Sequence, residues 1–161
     1  MRGIGDYFQK QKFTKAILGF SGGIDSAVVL ALAVKALGKE NVHAVMMPSQ
    51  YSSEHSVTDS LAMVKTLCVS NEIIPIETVF NTFLYSLKED FKHIPVDVTE
   101  ENLQVRIRGI LLMALSNKFN YILLNTSNKS ELAFGFGTLY GDICGGLSVI
   151  GDLYKTQVFE L

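Results

Sequence analysis

The stretch Ser21-Gly22-Gly23-Ile24-Asp25-Ser26 sets two glycines and two hydroxyls beside a carboxylate. Adjacent glycines let a backbone turn tightly and let an anion approach exposed N–H groups. A helix starting there adds the positive end of its dipole. Ser21 and Ser26 supply hydroxyl donors. This is the chemistry of a phosphate cradle. No lysine follows the glycines, so the G-x-x-x-x-G-K-[ST] pattern is not met. Asp25 would repel phosphate unless a divalent cation lay between them, so the turn suggests phosphate together with Mg²⁺, the carboxylate acting as a metal ligand. The same residues also suit a plain strand-to-helix turn, with Ser21 as N-cap and Asp25 as a favourable first-turn acid.

A second acid is needed at the same end of the fold. Glu131, in the stretch LLNTSNKSEL, follows a short apolar run and stands at the start of a helical segment. Asn128 with Glu131 three residues later also fits a variant of the helix-capping box. Other chemistry is poorly supported. His43, His55 and His93 lack metal-ligand spacing, and Cys68 and Cys144 lie far apart outside any C-x-x-C pattern, which reads as reduced thiols.

The elements that must position these groups alternate between strand and helix. A strand over about 16–20 leads through the glycine turn to a helix over 26–37, apolar on nearly every side and stopped by Gly38. The run NVHAVMMP gives a second strand, and Val57, Leu61, Val64 and Cys68 stripe the helix after it. The run EIIPIE gives a third strand whose proline suggests an edge or a strand end. A helix over 78–90 and a turn-rich loop over 93–102 follow. Leu103, Ile107, Ile110 and Ala114 stripe a helix ending near Phe119, YILLN is the fourth strand, and NKSELAF opens another helix. Residues 135–146 hold five glycines and read as a mobile or closely packed loop. Strands separated by helices imply parallel pairing through right-handed crossovers. The expectation is an α/β fold, a doubly wound parallel sheet with helices on both faces, whose ligands sit beyond the carboxyl ends of the strands at the switch point.

Bulk properties set limits. The 161 residues favour one domain over 1–161. With 48% apolar and 19% charged residues the composition is that of a soluble globular protein. The net charge of −2 and pI near 5.9 give no global attraction to nucleic acid or acidic membranes. No apolar run reaches the roughly 20 residues a bilayer span needs, and MRGIGDYFQKQKF lacks the apolar centre of a signal peptide. The expected location is cytoplasmic.

The turn SGGIDS resembles the pyrophosphate-binding loop of the N-type ATP pyrophosphatases. The segments ENLQVRIRGILLMALSN, NTSNKSELAFGFGTLYGD and IGDLYKTQVFEL are similar to those of NAD synthetases in order and spacing, as is MMPSQYSSEHSVTDSLAM. The resemblance implies an adenine nucleotide alpha hydrolase-like fold and ATP-dependent conversion of deamido-NAD to NAD through an adenylate, releasing AMP and pyrophosphate. It implies that Gly19, Phe20, Ser21, Gly22, Gly23, Ile24, Asp25 and Ser26 surround ATP. Thr126 and Lys155 would be further ATP contacts, Asp25 and Glu131 the Mg²⁺ ligands, and Arg106 a contact to deamido-NAD. Helical geometry alone does not choose between Arg106 and Arg108. Leu139 and Gly146 stand where some members carry a lysine and an aspartate, so the dinucleotide contacts of that loop are not carried over.

The resemblance further implies a homodimer and a chain shorter than family members at both ends. No amidase-like segment precedes the loop, which favours ammonia as nitrogen source. The alternatives are another N-type ATP pyrophosphatase, acting in GMP synthetase-like amidation or tRNA thiolation, and a nucleotide-binding remnant without turnover. Two isolated cysteines and an acidic pI speak against thiolation.

Overall fold

A computed structural model describes residues 2–50 and 54–161, the side chains of 54–56 excepted. The segment 51–53 and the side chain of His55 therefore lie outside the described residues.

Five short strands, β1 (Ala16–Gly19), β2 (Val42–Met46), β3 (Ser70–Ile73), β4 (Ile122–Asn125) and β5 (Leu147–Ser148), form one sheet in the order β3-β2-β1-β4-β5. Every pairing is parallel, with Ala16 opposite both Val42 and Ile122. The order reverses between β1 and β4, which makes the carboxyl ends of those two strands the switch point. The strand carrying the proline signal is indeed an edge strand, with Pro75 just beyond it.

Helices cover both faces. Alternation along β1 assigns the faces: Leu18 points into a core shared with α1 (Arg2–Gln11) and α2 (Ile24–Leu37), and Ile17 into one shared with α4 (Glu77–Ser86) and α5 (Val98–Phe119). The first core also takes in Val64 of α3 (Glu54–Thr66) and Val158 of α7 (Lys155–Val158). Gly38 ends α2 at φ 86 and ψ 144, a positive-φ conformation that glycine adopts without strain. A short helix, α6 (Lys129–Phe134), follows β4 directly and is closed by Gly135 at φ 68.

Several expected details shift. Helix α1 goes beyond the expected elements although Ile4 and Phe8, one turn apart, give it a buried stripe, whereas the two-residue β5 carries too little pattern to be read from the sequence. The expected helix over 78–90 ends at Ser86, and α5 begins inside the expected loop because Asp97 and Glu100 form a capping box at its start. The apolar stripes are corrected on α3 and α5. On α3, Leu61 is exposed, and Cys68 lies past the helix end at φ 52. On α5, Ile110 and Ala114 face outward, whereas Gln104, Ile107, Leu112 and Ser116 are buried. Packing overrode composition there: Ser116 is held inside by its hydroxyl donating to the Tyr121 carbonyl oxygen at 2.8 Å.

Candidate functional site

The glycine turn leaves β1 at the switch point. Gly22 takes φ 80, which only glycine adopts without strain, and Gly23 is the N-cap of α2 with no side chain to cap it. The expected cap by Ser21 is therefore not formed. Instead the Ser26 hydroxyl donates to the Gly23 carbonyl oxygen at 2.9 Å, and the Ser21 hydroxyl accepts from the Gly23 N–H at 3.3 Å. The two hydroxyls lie 3.3 Å apart. The α2 start thus presents a turn in which serine side chains brace the backbone around the dipole's positive end.

Beyond the turn stands Asp25, whose two carboxylate oxygens have different partners. Oδ1 accepts from the side-chain amide of Asn128 at 3.1 Å, and Oδ2 is ion-paired with the ammonium of Lys155. Lys155 reaches it because α7 docks on α6: the Lys155 N–H donates to the Ser130 hydroxyl at 3.0 Å, and Lys129 N–H to the Leu153 carbonyl oxygen at 2.8 Å. Glu131 stands on the other side of Asn128 in a completed capping box, its Oε2 accepting from the Asn128 N–H at 3.1 Å. The capping role foreseen for Glu131 is therefore realised.

On the β1 side of the turn lies a cavity of about 220 Å³. Gly19, Phe20, Ser21 and Thr126 line it together with apolar Val45, Met47 and Leu112. Arg108 closes one wall, its Nε–H donating to the Met47 carbonyl oxygen at 3.0 Å. Burial pulls its pKa below the usual arginine value. Arg106, by contrast, is exposed and donates to the Leu139 carbonyl oxygen at 3.2 Å, beside the glycine-rich loop.

That loop is closely packed where it meets α5. A Cβ on Gly109 would come within 2.8 Å of the Tyr140 carbonyl oxygen, and one on Gly141 within 2.6 Å of Val105. Asn125, at the end of β4, anchors the loop by donating to the carbonyl oxygens of Asp142 and Cys144 at 2.7 and 3.2 Å. The Cys144 thiol lines the cavity, and its pKa is raised by burial, with the nearby Asp142 charge adding to the effect.

The switch point thus brings together the turn, Thr126, Asp25, Glu131 and Lys155, while Arg106 stays on the outer surface of α5. Arg108, Asn125 and Asn128 were not assigned a site role from the sequence. For Asn128 a signal existed, an Asn N-cap directly after a switch-point strand. Among the described residues no three His, Cys, Asp or Glu side chains form a metal cage. Two carboxylates flanking one amide do suit a hard cation that takes one or two acid ligands and completes its shell with phosphates and water. Such a site, beside an apolar cavity of base size, has the layout for holding a nucleotide with its base in the cavity and its phosphates across the turn.

The NAD synthase family model matches residues 1–161. A glutamine-dependent NAD(+) synthetase of Synechocystis sp. is 57% identical over 159 residues, covering 99% of this chain and 28% of that protein. The structure of glutamine-dependent NAD+ synthetase from Acinetobacter baumannii in complex with ADP superposes with a TM-score of 0.96 at 52% identity, over 98% of this chain and 30% of that one. An NH3-dependent NAD synthetase from Campylobacter jejuni superposes with a TM-score of 0.90 at 36% identity, over 99% of this chain and 67% of that one. The chain thus spans less than a third of these two glutamine-dependent relatives. With that family model matching its whole length, the chain belongs to the NAD synthase family.

Proposed function

We propose that this chain is the ATP-using synthetase part of a cytoplasmic, homodimeric enzyme that amidates deamido-NAD to NAD, with ammonia as the attacking nitrogen. The observation carrying this reading is the convergence of Asp25, Glu131 and Lys155 on the glycine turn at the switch point. ATP would lie with its base in the cavity behind Gly19 and Thr126 and its phosphates over residues 21–26. The turn's N–H groups and the α2 dipole hold the phosphates, and Lys155 moves onto them. Asp25 and Glu131 would hold Mg²⁺, which supplies charge neutralisation for the departing pyrophosphate.

The nicotinate carboxylate oxygen attacks the α-phosphorus, and the bond to pyrophosphate breaks. Ammonia then adds to the activated carbonyl carbon, and AMP leaves with the electron pair. No side chain forms a covalent bond, so the chain's contribution is alignment and electrostatic stabilisation. Arg106, on the exposed face of α5 beside the glycine loop, is the deamido-NAD contact in this reading.

The test is product stoichiometry. With ATP, Mg²⁺, deamido-NAD and ammonium, the intact protein should release AMP, pyrophosphate and NAD in equal amounts. Replacing ammonium by glutamine distinguishes the nitrogen source, and sedimentation reads the dimer. AMP release that ignores deamido-NAD but responds to xanthylate would overturn the substrate assignment. Nucleotide binding without any AMP formation would leave a binding remnant instead.

A further inference from the structure

Asn128 is fully buried, and its polar groups are used in three directions. Its side-chain oxygen accepts from the Glu131 N–H at 3.1 Å, and its own N–H donates to Glu131 Oε2 at 3.1 Å. Its amide nitrogen donates to Asp25 Oδ1, also at 3.1 Å. The first two bonds are the capping box of α6. The third is not explained by capping, because an N-cap needs only an acceptor and a serine or aspartate would serve as well. What asparagine adds is a donor aimed at Asp25.

Asp25 Oδ2 has a partner of another kind. Lys155 carries a full charge on a flexible stem, and its side chain is 38% exposed against 18% for Asp25. The amide is neutral, enclosed and fixed at a helix start, whereas the ammonium can swing away without disturbing packing. A cation approaching this carboxylate can displace only the second donor.

We propose that Asn128 is a positioning residue. It fixes Asp25 and Glu131 in one mutual pose through Asp25 Oδ1. Asp25 Oδ2 is left as an exchange position, which Lys155 holds until a divalent cation arrives with a nucleotide's phosphates. This rests on the reading of Asp25 and Glu131 as cation ligands. Two cations compete for one oxygen, and the ammonium that leaves needs a new anion, which a polyphosphate provides. Cation and nucleotide therefore bind cooperatively, and the cation alone binds weakly.

Mn²⁺ provides the probe, its free concentration read by electron paramagnetic resonance on the full chain with and without ATP. The wild-type protein should take up Mn²⁺ tightly only with ATP. Asn128→Ser keeps the cap acceptor but removes the donor to Asp25. It should lower Mn²⁺ affinity in the presence of ATP by roughly 10–100-fold, the usual effect of losing a partner of a metal ligand. Lys155→Met should raise Mn²⁺ affinity measured without ATP by several-fold and shrink the gain in affinity that ATP brings. A folded Asn128→Ser protein with wild-type Mn²⁺ affinity overturns the positioning role. An unchanged ATP-free affinity in Lys155→Met overturns the exchange. Should Asn128→Ser not fold, the Lys155→Met measurement still decides the exchange. Full Mn²⁺ affinity in Asp25→Asn would instead remove the cation-clamp reading itself, a result separate from the other two.

Discussion

Asp25 illustrates how one side chain can satisfy a structural and a chemical reading at once. It is an acid in the first turn of α2, where the helix dipole favours it, and it is also the partner of Lys155 and Asn128. The two readings separate by magnitude. Asp25→Asn removes a first-turn charge worth up to about 1 kcal/mol at a partly exposed site, so the melting temperature should move little. Under the proposed function, turnover should fall by roughly 100-fold or more, because charge on the departing pyrophosphate would go unneutralised. A large drop in melting temperature with activity spared would return Asp25 to the role of a plain first-turn acid.

Cys144 offers a second residue-scale check. Burial and Asp142 both disfavour its thiolate, so its pKa lies above the usual thiol value and little thiolate exists at neutral pH. The exposed Cys68 should therefore be alkylated first, with Cys144 lagging behind it until the pH is raised. ATP should slow labelling of Cys144, which lines the cavity, and leave Cys68 unaffected. Peptide mapping after timed labelling with iodoacetamide reads both.

At the scale of elements, α5 carries the most information. It forms one wall of the cavity and packs against the glycine-rich loop, and its buried face differs from the face its apolar residues suggest. Ile107→Ala should cost about 2–5 kcal/mol, since Ile107 is buried in the core under the sheet. Ile110→Ala, three residues on but exposed, should stay within about 0.5 kcal/mol. Urea unfolding of the pair checks which face is inside.

Gly109 tests the same helix from the loop side. Replacing a mid-helix glycine by alanine normally gains up to about 1 kcal/mol. Here the new methyl would meet the Tyr140 and Gly141 carbonyl oxygens at 2.8 and 3.1 Å, and backbone cannot step aside cheaply. Gly109→Ala should therefore destabilise the protein and weaken ATP binding, as seen by calorimetry, because loop and cavity wall move together.

Over the whole molecule, stability should grade from the sheet's centre outward. β1 is paired on both sides and sandwiched between two cores, whereas β3 is an edge strand with mostly exposed side chains. Native-state hydrogen exchange should find Ile17 and Leu18 amides among the slowest and those of β3 and 87–96 among the fastest. Slow exchange throughout β3 would contradict this grading. No helix of the described residues is long and apolar enough to cross a membrane.

Much of this was legible in the chain itself. The alternation of strand and helix runs, the glycine turn after the first strand and Gly38 as a helix stop are local signals, and local sterics enforce them. The resemblance of the segments at 101–117 and 125–142 named the family that the comparisons support. Three things depended on tertiary packing. Which face of α5 is buried was decided by what the helix packs against, because a mixed helix with Gln104 and Ser116 inside carries no clean period. That Arg108 rather than Arg106 lines the cavity follows from the same rotation. The linkage of Asp25 to Asn128 and Lys155 joins residues more than a hundred positions apart in the chain. Spacing in sequence cannot reveal a contact of that kind, because only the parallel order around the switch point brings the ends of β1 and β4 side by side.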